Sequence, residues 1–239
     1  MRYMGGKSKI ARPIAEIITR NSPASACFVS LFCGTCAVEA RVTGFERKIL
    51  NDKHKYLIAM LSGVQGGYEL PEAVSKEQYT WLKEHQDADP VLTGFVGFGC
   101  SFGGIWFDSY ANCAKGRNYC AESKRSLLKD LAQLSDAEFI CGDYRKVCIP
   151  PRSTIYADPH YKDTKGYNGE RFDTDTFWTA MRLLAETGHT VFISEQQAPP
   201  DFLCIWEQPF TRTVSRSKDH KYIITEKLFT YYPQRRLYP

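Results

Sequence analysis

Apolar strands alternating with helices, several of the strands closing on an acidic or polar residue, predict a doubly wound α/β sheet. Three observations carry this reading. Short apolar runs such as Ala26-Cys27-Phe28-Val29-Ser30-Leu31-Phe32 and Thr190-Val191-Phe192-Ile193-Ser194 have strand length and β-branched or aromatic content. Between them, apolar residues recur at helical spacing, as with Ile10, Ile14, Ile17 and Ile18. Residues 62–130 break the rhythm with Gly-rich aromatic segments (Gly94 to Gly99, Phe102 to Phe107) and read as an inserted, mostly helical lobe.

The elements follow in order. Residues 7–20 form a helix, with Pro13 near its first turn, where proline is tolerated. Residues 26–32 form a buried strand, Cys33-Gly34-Thr35-Cys36 turns the chain, and Ala37 to Val42 opens a helix. Lys48 to Asp52 is a second strand, followed by a helix from Tyr56 to Leu61. Phe139 to Asp143 and Thr154 to Asp158 are further strands, each ending in an acid. Phe177 to Thr187 is helical and Thr190 to Ser194 is again strand. Residues 1–61 and 131–239 thus form one catalytic domain around the insertion at 62–130.

Composition bounds the function. At 239 residues, 43% hydrophobic and 24% charged, the chain has the make-up of a soluble globular protein. No apolar run approaches the roughly 20 residues that a membrane helix needs, and Met1 to Lys7 lacks a signal-peptide core. Nine cysteines are an odd number for a disulfide framework, so reduced thiols and a cytoplasmic location are expected. The formal net charge is only +4, but basic residues cluster at Lys115 to Arg117, Lys124-Arg125 and Arg212 to Lys221. Such clusters suit phosphate contacts or solvated faces alike.

Four segments carry chemistry. Leu31 to Cys36 places Gly34 at a strand-to-helix turn, where backbone can approach a cofactor. It is not G-x-G-x-x-G, so a dinucleotide site is disfavoured, and Cys33 and Cys36 have no second pair at zinc spacing. Asp52 ends the second strand at the position where an acid binds ribose hydroxyls, the alternative being a helix cap. Asp143 receives an adenine amino group or is an exposed turn acid. Gly5-Gly6-Lys7-Ser8 lacks the first glycine and preceding strand of a phosphate loop. Finally, Asp158-Pro159-His160-Tyr161 offers a carboxylate, a carbonyl and a stacking ring for an amino-bearing base.

In this order the segments resemble the Dam-like (D12, or α) class of N6-adenine DNA methyltransferases. Tyr3 to Lys7 matches W/Y-x-G-G-K, Leu31 to Cys36 the F-x-G-x-G/C cradle, and Asp158 to Tyr161 the D-P-P-Y tetrad. More narrowly, Asn51 to His54, Gly97 to Gly104, Gly116 to Ala121 and Thr190 to Glu195 resemble a phage or prophage type, of the kind found in DNA modification and restriction-modification. The resemblance implies a class I, Rossmann-like methyltransferase and S-adenosylmethionine as cofactor. It implies that Tyr3, Gly5, Gly6, Lys7, Phe32, Gly34, Asp52, Asp143 and Asp158 bind that cofactor. Asp158, Pro159, His160 and Tyr161 form the catalytic motif, with no metal. The partner is double-stranded DNA with the target nucleotide flipped out. Arg117, Lys124 and Arg125 of the insertion are the candidate DNA contacts.

Three residues depart from the pattern. Ser30 stands where an acid is usual, His160 where a proline is, and Gln196-Gln197 where Tyr-Asn is expected. His160 leaves two alternatives to adenine methylation: a different acceptor or donor, such as cytosine N4, a modified base or a non-methyl group, and a catalytically impaired DNA-binding protein.

Overall fold

The computed structural model describes residues 1–23, 27–111, 116–159, 172–213 and 221–232, with side chains placed outside 210–224. Two compact units result, Met1–Ile149 and Pro150–Pro239. Parallel strands joined through helices, with an antiparallel hairpin near the carboxyl terminus, give the Rossmann-like α/β fold that the sequence predicts.

In the first unit β1 (Cys27–Ser30), β2 (Arg47–Asp52) and β3 (Glu138–Cys141) run parallel, with β2 between the other two. All four β1 residues are buried, which is why that strand reads as a continuous apolar run without alternation. Helix α1 (Ala11–Asn21) buries Ala11, Ile14, Ala15 and Ile18 on one face and carries Pro13 within its first turn. Helix α2 (Lys55–Gln65) follows β2. The predicted helix at Ala37 to Val42 is instead a set of hydrogen-bonded turns (Ala40 N–H to Cys36 C=O, Val42 N–H to Val38 C=O). Cys36 before it takes a left-handed φ of 59° and Gly44 after it a φ of 83°, so no room remains for regular turns.

The insertion is helical as predicted: α3 (Lys76–Glu84), α4 (Pro90–Gly99), a 3₁₀ turn at Phe102–Gly104, and α5 (Tyr119–Leu131). Its starts are written locally. Ser75 and Gln78 form a reciprocal capping box on α3; Asp89 caps α4, which has Pro90 at its first position; and Asn118 caps α5. Phe95 and Phe98 of α4, with Leu57 and Leu61 of α2, are fully buried and anchor the lobe.

In the second unit β4 (Thr154–Ala157) pairs parallel with β5 (Thr190–Glu195), and α6 (Thr174–Glu186) lies between them in sequence. β5 then pairs antiparallel with β7 (Lys221–Tyr231), which pairs with β6 (Phe202–Thr213). The sequence reading missed this hairpin. Pro209 argues against a strand there, and a register shift between Cys204 and Trp206 breaks the alternation. Proline is tolerated because β6 is an edge strand.

Candidate functional site

The first unit brings the carboxyl ends of β1 and β2 together around Asp52. Its two carboxylate oxygens accept from the Gly34 N–H (3.0 Å) and the His54 N–H (2.9 Å). The side chain is only 8% exposed, so both bonds fix its direction. A carboxylate oxygen can accept from more than one donor, hydroxyls included. His54 also caps α2, its Nδ1 accepting from the Leu57 N–H at 3.2 Å. The cap of α2 is therefore His54 and not Asp52, which is buried.

Gly34 has a φ of 50°, in the left-handed region. A side chain there would place its first carbon 3.3 Å from Cε1 of Tyr3. The Tyr3 ring therefore packs close against the bare turn, and Asp52 is bonded to its backbone. Tyr3 is itself held. Its ring packs on Phe98 with centroids 4.9 Å apart, and Phe98 packs on His54 (5.0 Å) and Trp106 (4.6 Å). The next peptide, Met4 N–H, donates to the Gly104 carbonyl at 3.1 Å. Gly104 has to be glycine: its φ is 70°, and a first side-chain carbon would fall 2.6 Å from the Tyr3 nitrogen. Gly5 and Gly6 complete a turn closed by Gly6 N–H to the Tyr3 carbonyl, and Lys7 follows, buried. The insertion thus positions the amino-terminal motif, a role that the sequence reading did not give to Phe98 or Gly104.

Phe32 packs on Tyr144 with ring centroids 5.1 Å apart. Beside that pair, Asp143 caps the turn after β3, accepting from the Arg145 N–H at 2.9 Å. The Arg145 guanidinium also contacts both oxygens, at 2.9 and 2.5 Å, and draws the Asp143 carboxyl down to about 2. Of the two readings of Asp143, the turn acid is the one whose contacts are present.

Ser30 replaces an acid without removing one. Its hydroxyl donates to Glu39 Oε1 at 2.7 Å, and both side chains are fully buried. Asn51 donates from Nδ2 to the Leu31 and Gly142 carbonyls (2.9 and 3.2 Å), tying the ends of β1 and β3, while its buried Oδ1 has no partner. Burial pushes both the Cys33 and Cys36 thiols up, so the pair stays protonated and is not a thiolate site. Among the described residues no group of three or more His, Cys, Asp or Glu side chains is placed to hold a metal ion. No described helix is long and apolar enough to cross a membrane.

In the second unit Asp158 and Pro159 directly follow β4. That strand is fully buried and is fixed to β5 by the Tyr156 hydroxyl on Ser194 Oγ at 2.8 Å. Asp158 is partly buried and Pro159 buried. His160 and Tyr161 lie outside the described residues, as do Lys115 and most of the basic stretch after Arg212.

The candidate DNA contacts have protein partners. Arg117 binds Glu122 through two nitrogens (3.1 and 2.9 Å), Arg2 shares that carboxylate, and Lys124 pairs with Glu72 at 2.6 Å. Both arginines also lie over the Tyr119 ring, at 4.1 Å for Arg2 and 5.1 Å for Arg117. Arg125 is exposed.

S-adenosylmethionine fits the residues of the first unit in its chemistry: an oriented carboxylate for ribose hydroxyls, a turn with no side chain, and an aromatic ring packed against that turn.

Compared with known proteins, residues 3–88 match the family described as D12 class N6 adenine-specific DNA methyltransferase. No curated protein sequence matches. Among solved structures, the chain is similar to a conserved hypothetical protein of Streptococcus pyogenes, with 9% identity, 93% of this chain and 95% of that chain covered, and a TM-score of 0.43. It is similar as well to the rRNA methyltransferase AviRa of Streptomyces viridochromogenes, with 8% identity, 94% and 84% covered, and a TM-score of 0.43.

Proposed function

We propose that this protein is an S-adenosylmethionine-dependent methyltransferase that transfers a methyl group to the exocyclic N6 of a flipped adenine in DNA. The observation that carries the cofactor half is the Asp52 carboxylate, held by the Gly34 and His54 N–H groups beside a turn whose left-handed φ of 50° disfavours a side chain. The match of residues 3–88 to the D12 class supports the same reading, because Tyr3, Gly34 and Asp52 all fall within it. Tyr3, Gly34 and Asp52 hold the cofactor, with Gly5, Gly6, Lys7 and Phe32 around them. Asp143 is the weakest member of the set, since Arg145 already occupies its carboxylate.

The acceptor half rests on Asp158-Pro159 at the carboxyl end of β4, where ligands bind in doubly wound sheets. An exocyclic amine is a poor nucleophile, because its lone pair is delocalised into the ring. The Asp158 carboxylate and Pro159 carbonyl accept its two hydrogens and favour the tetrahedral nitrogen that can attack. This is positioning and electrostatic catalysis. When bound, the cofactor supplies an electrophilic sulfonium methyl. Tyr161 offers a stacking face to the flipped base, against an unstacking cost of a few kcal/mol. Arg117, Lys124 and Arg125 meet the DNA, with Arg117 and Lys124 exchanging Glu122 and Glu72 for phosphates.

Purified protein is incubated with duplex DNA and methyl-labelled S-adenosylmethionine, and the digested nucleosides are identified by mass spectrometry. N6-methyladenine is expected, with Asp158→Ala losing it while retaining cofactor binding. Label on cytosine N4 or on another base, a product that His160 in the tetrad keeps open, replaces the adenine assignment. Binding of DNA with no label transferred replaces the enzyme reading itself.

A further inference from the structure

The insertion holds a cavity of about 880 Å³ lined by none of the residues proposed above to bind cofactor or DNA. Its volume falls in the range of small-molecule sites, roughly 300–1,000 Å³. Leu70, Val74 and Leu82 are buried beneath it, and Tyr68, Trp81 and Leu92 also line it. Trp81 is 51% exposed although it is a large apolar residue on a short helix, and one face of its ring stacks on His85 with centroids 4.7 Å apart.

The charge of the lining is one-sided. Glu69, Glu77 and Asp89 contribute carboxylates, and among the described residues no lysine or arginine lines the cavity. Asp89 is fixed in place, accepting from the Tyr68 hydroxyl at 2.6 Å and the Leu92 N–H at 2.9 Å. The Glu77 carboxyl is held below its ordinary range by hydrogen bonds at the start of α3, so it is charged at neutral pH. An apolar floor, an exposed indole and three carboxylates, with Lys76 beside Glu77 as a nearby cation, disfavour a phosphate-bearing ligand. They suit a cation carried on an apolar body, whose charge gains from the indole face as well as from the acids.

We propose that this cavity is a binding site for a small organic cation, an ammonium or guanidinium group on an apolar stem, separate from the methyl-transfer residues. The probe is phenethylammonium, titrated into the full chain and followed by calorimetry and by tryptophan fluorescence. 2-Phenylethanol serves as the neutral counterpart and phenylacetate as the anionic one.

Saturable binding of the ammonium is expected, at least about fivefold tighter than that of the alcohol, with no binding of the acid. Trp81→Ala and the double change Glu69→Gln with Glu77→Gln should each weaken it by a similar factor. All of these side chains are at the surface, and circular dichroism checks that the variants fold. Equal binding of ammonium and alcohol, or unchanged binding in the Trp81 and glutamate variants, overturns the proposal. So does a result in which only a lysine-rich peptide binds and the free amine does not, which makes the cavity a protein-docking face instead.

Discussion

Replacing Gly94 by alanine sets helix propensity against packing, and the distances decide between them. In a helix interior alanine is favoured over glycine by about 1 kcal/mol. At this position, however, the added carbon would lie 2.0 Å from the Tyr56 carbonyl oxygen and 2.8 Å from Cβ of Met60, both on α2. An ordinary carbon–oxygen contact is about 3.3 Å, so α2 and α4 must separate by about 1 Å. The obstacle is backbone, which no rotamer change relieves. Overpacking of this kind costs about 1–3 kcal/mol and occasionally more, and here the upper end applies. Less the propensity gain, a net loss of about 2 kcal/mol follows, or about 4–8 °C in Tm for a chain of this size. Moving α4 also moves Phe98, on which Tyr3 packs, so cofactor affinity should fall along with stability. The assay is thermal unfolding followed by circular dichroism, with calorimetric titration of S-adenosylmethionine below the transition. Gly142→Ala is the control, because its added carbon meets only Asn51 Oδ1 at 3.8 Å. A Gly94→Ala protein with an unchanged or raised Tm refutes the close approach of α2 and α4.

Three other outcomes are expected. Asp52→Ala removes two backbone hydrogen bonds from a buried carboxylate and should cost about 2–4 kcal/mol of stability as well as weaken cofactor binding at least tenfold. Unchanged affinity by calorimetry removes Asp52 from the site. Asp143, with its carboxyl drawn below the usual 3.8 to about 2 by Arg145, adds stability above pH 4 that is lost as pH falls through 2. The urea midpoints of wild type and Asp143→Asn should therefore differ at pH 5 and converge near pH 2, and parallel curves contradict this. His160→Pro, which restores proline's fixed φ next to Pro159, should raise methyl transfer to adenine. A lower rate with a changed product, or an inflection near pH 6–7 that the variant loses, assigns the imidazole to a different acceptor or donor.

What could be read from the chain divides along a physical line. The places of Asp52 and Asp158 at strand ends were legible because a strand that ends in an acid is a local pattern. The helical character of residues 62–130 was legible only coarsely, from Gly-rich aromatic segments that break the rhythm; Ser75, Asp89 and Asn118, which cap its helices, were not read from the sequence. Long-range pairings were not legible. Tyr3 meets Phe98 and Gly34 across most of a domain, and no spacing rule links residues so far apart. The basic cluster at Arg117 and Lys124 looked like a surface for phosphates, yet Glu122 and Glu72 already neutralise it. On the proposed function DNA competes for those cations, which is a condition on affinity that counting charges does not contain.

Ser30 makes the same point about chemistry. Compared one position at a time, serine in place of an acid is a lost carboxylate at the end of β1. In the fold Glu39 supplies a buried carboxylate to that very serine from nine residues further on. A buried carboxyl group needs hydrogen-bond donors, and the Ser30 hydroxyl is one of those that Glu39 has. Ser30→Ala should therefore be more disruptive than the loss of an exposed hydroxyl, because it withdraws a donor from a buried side chain.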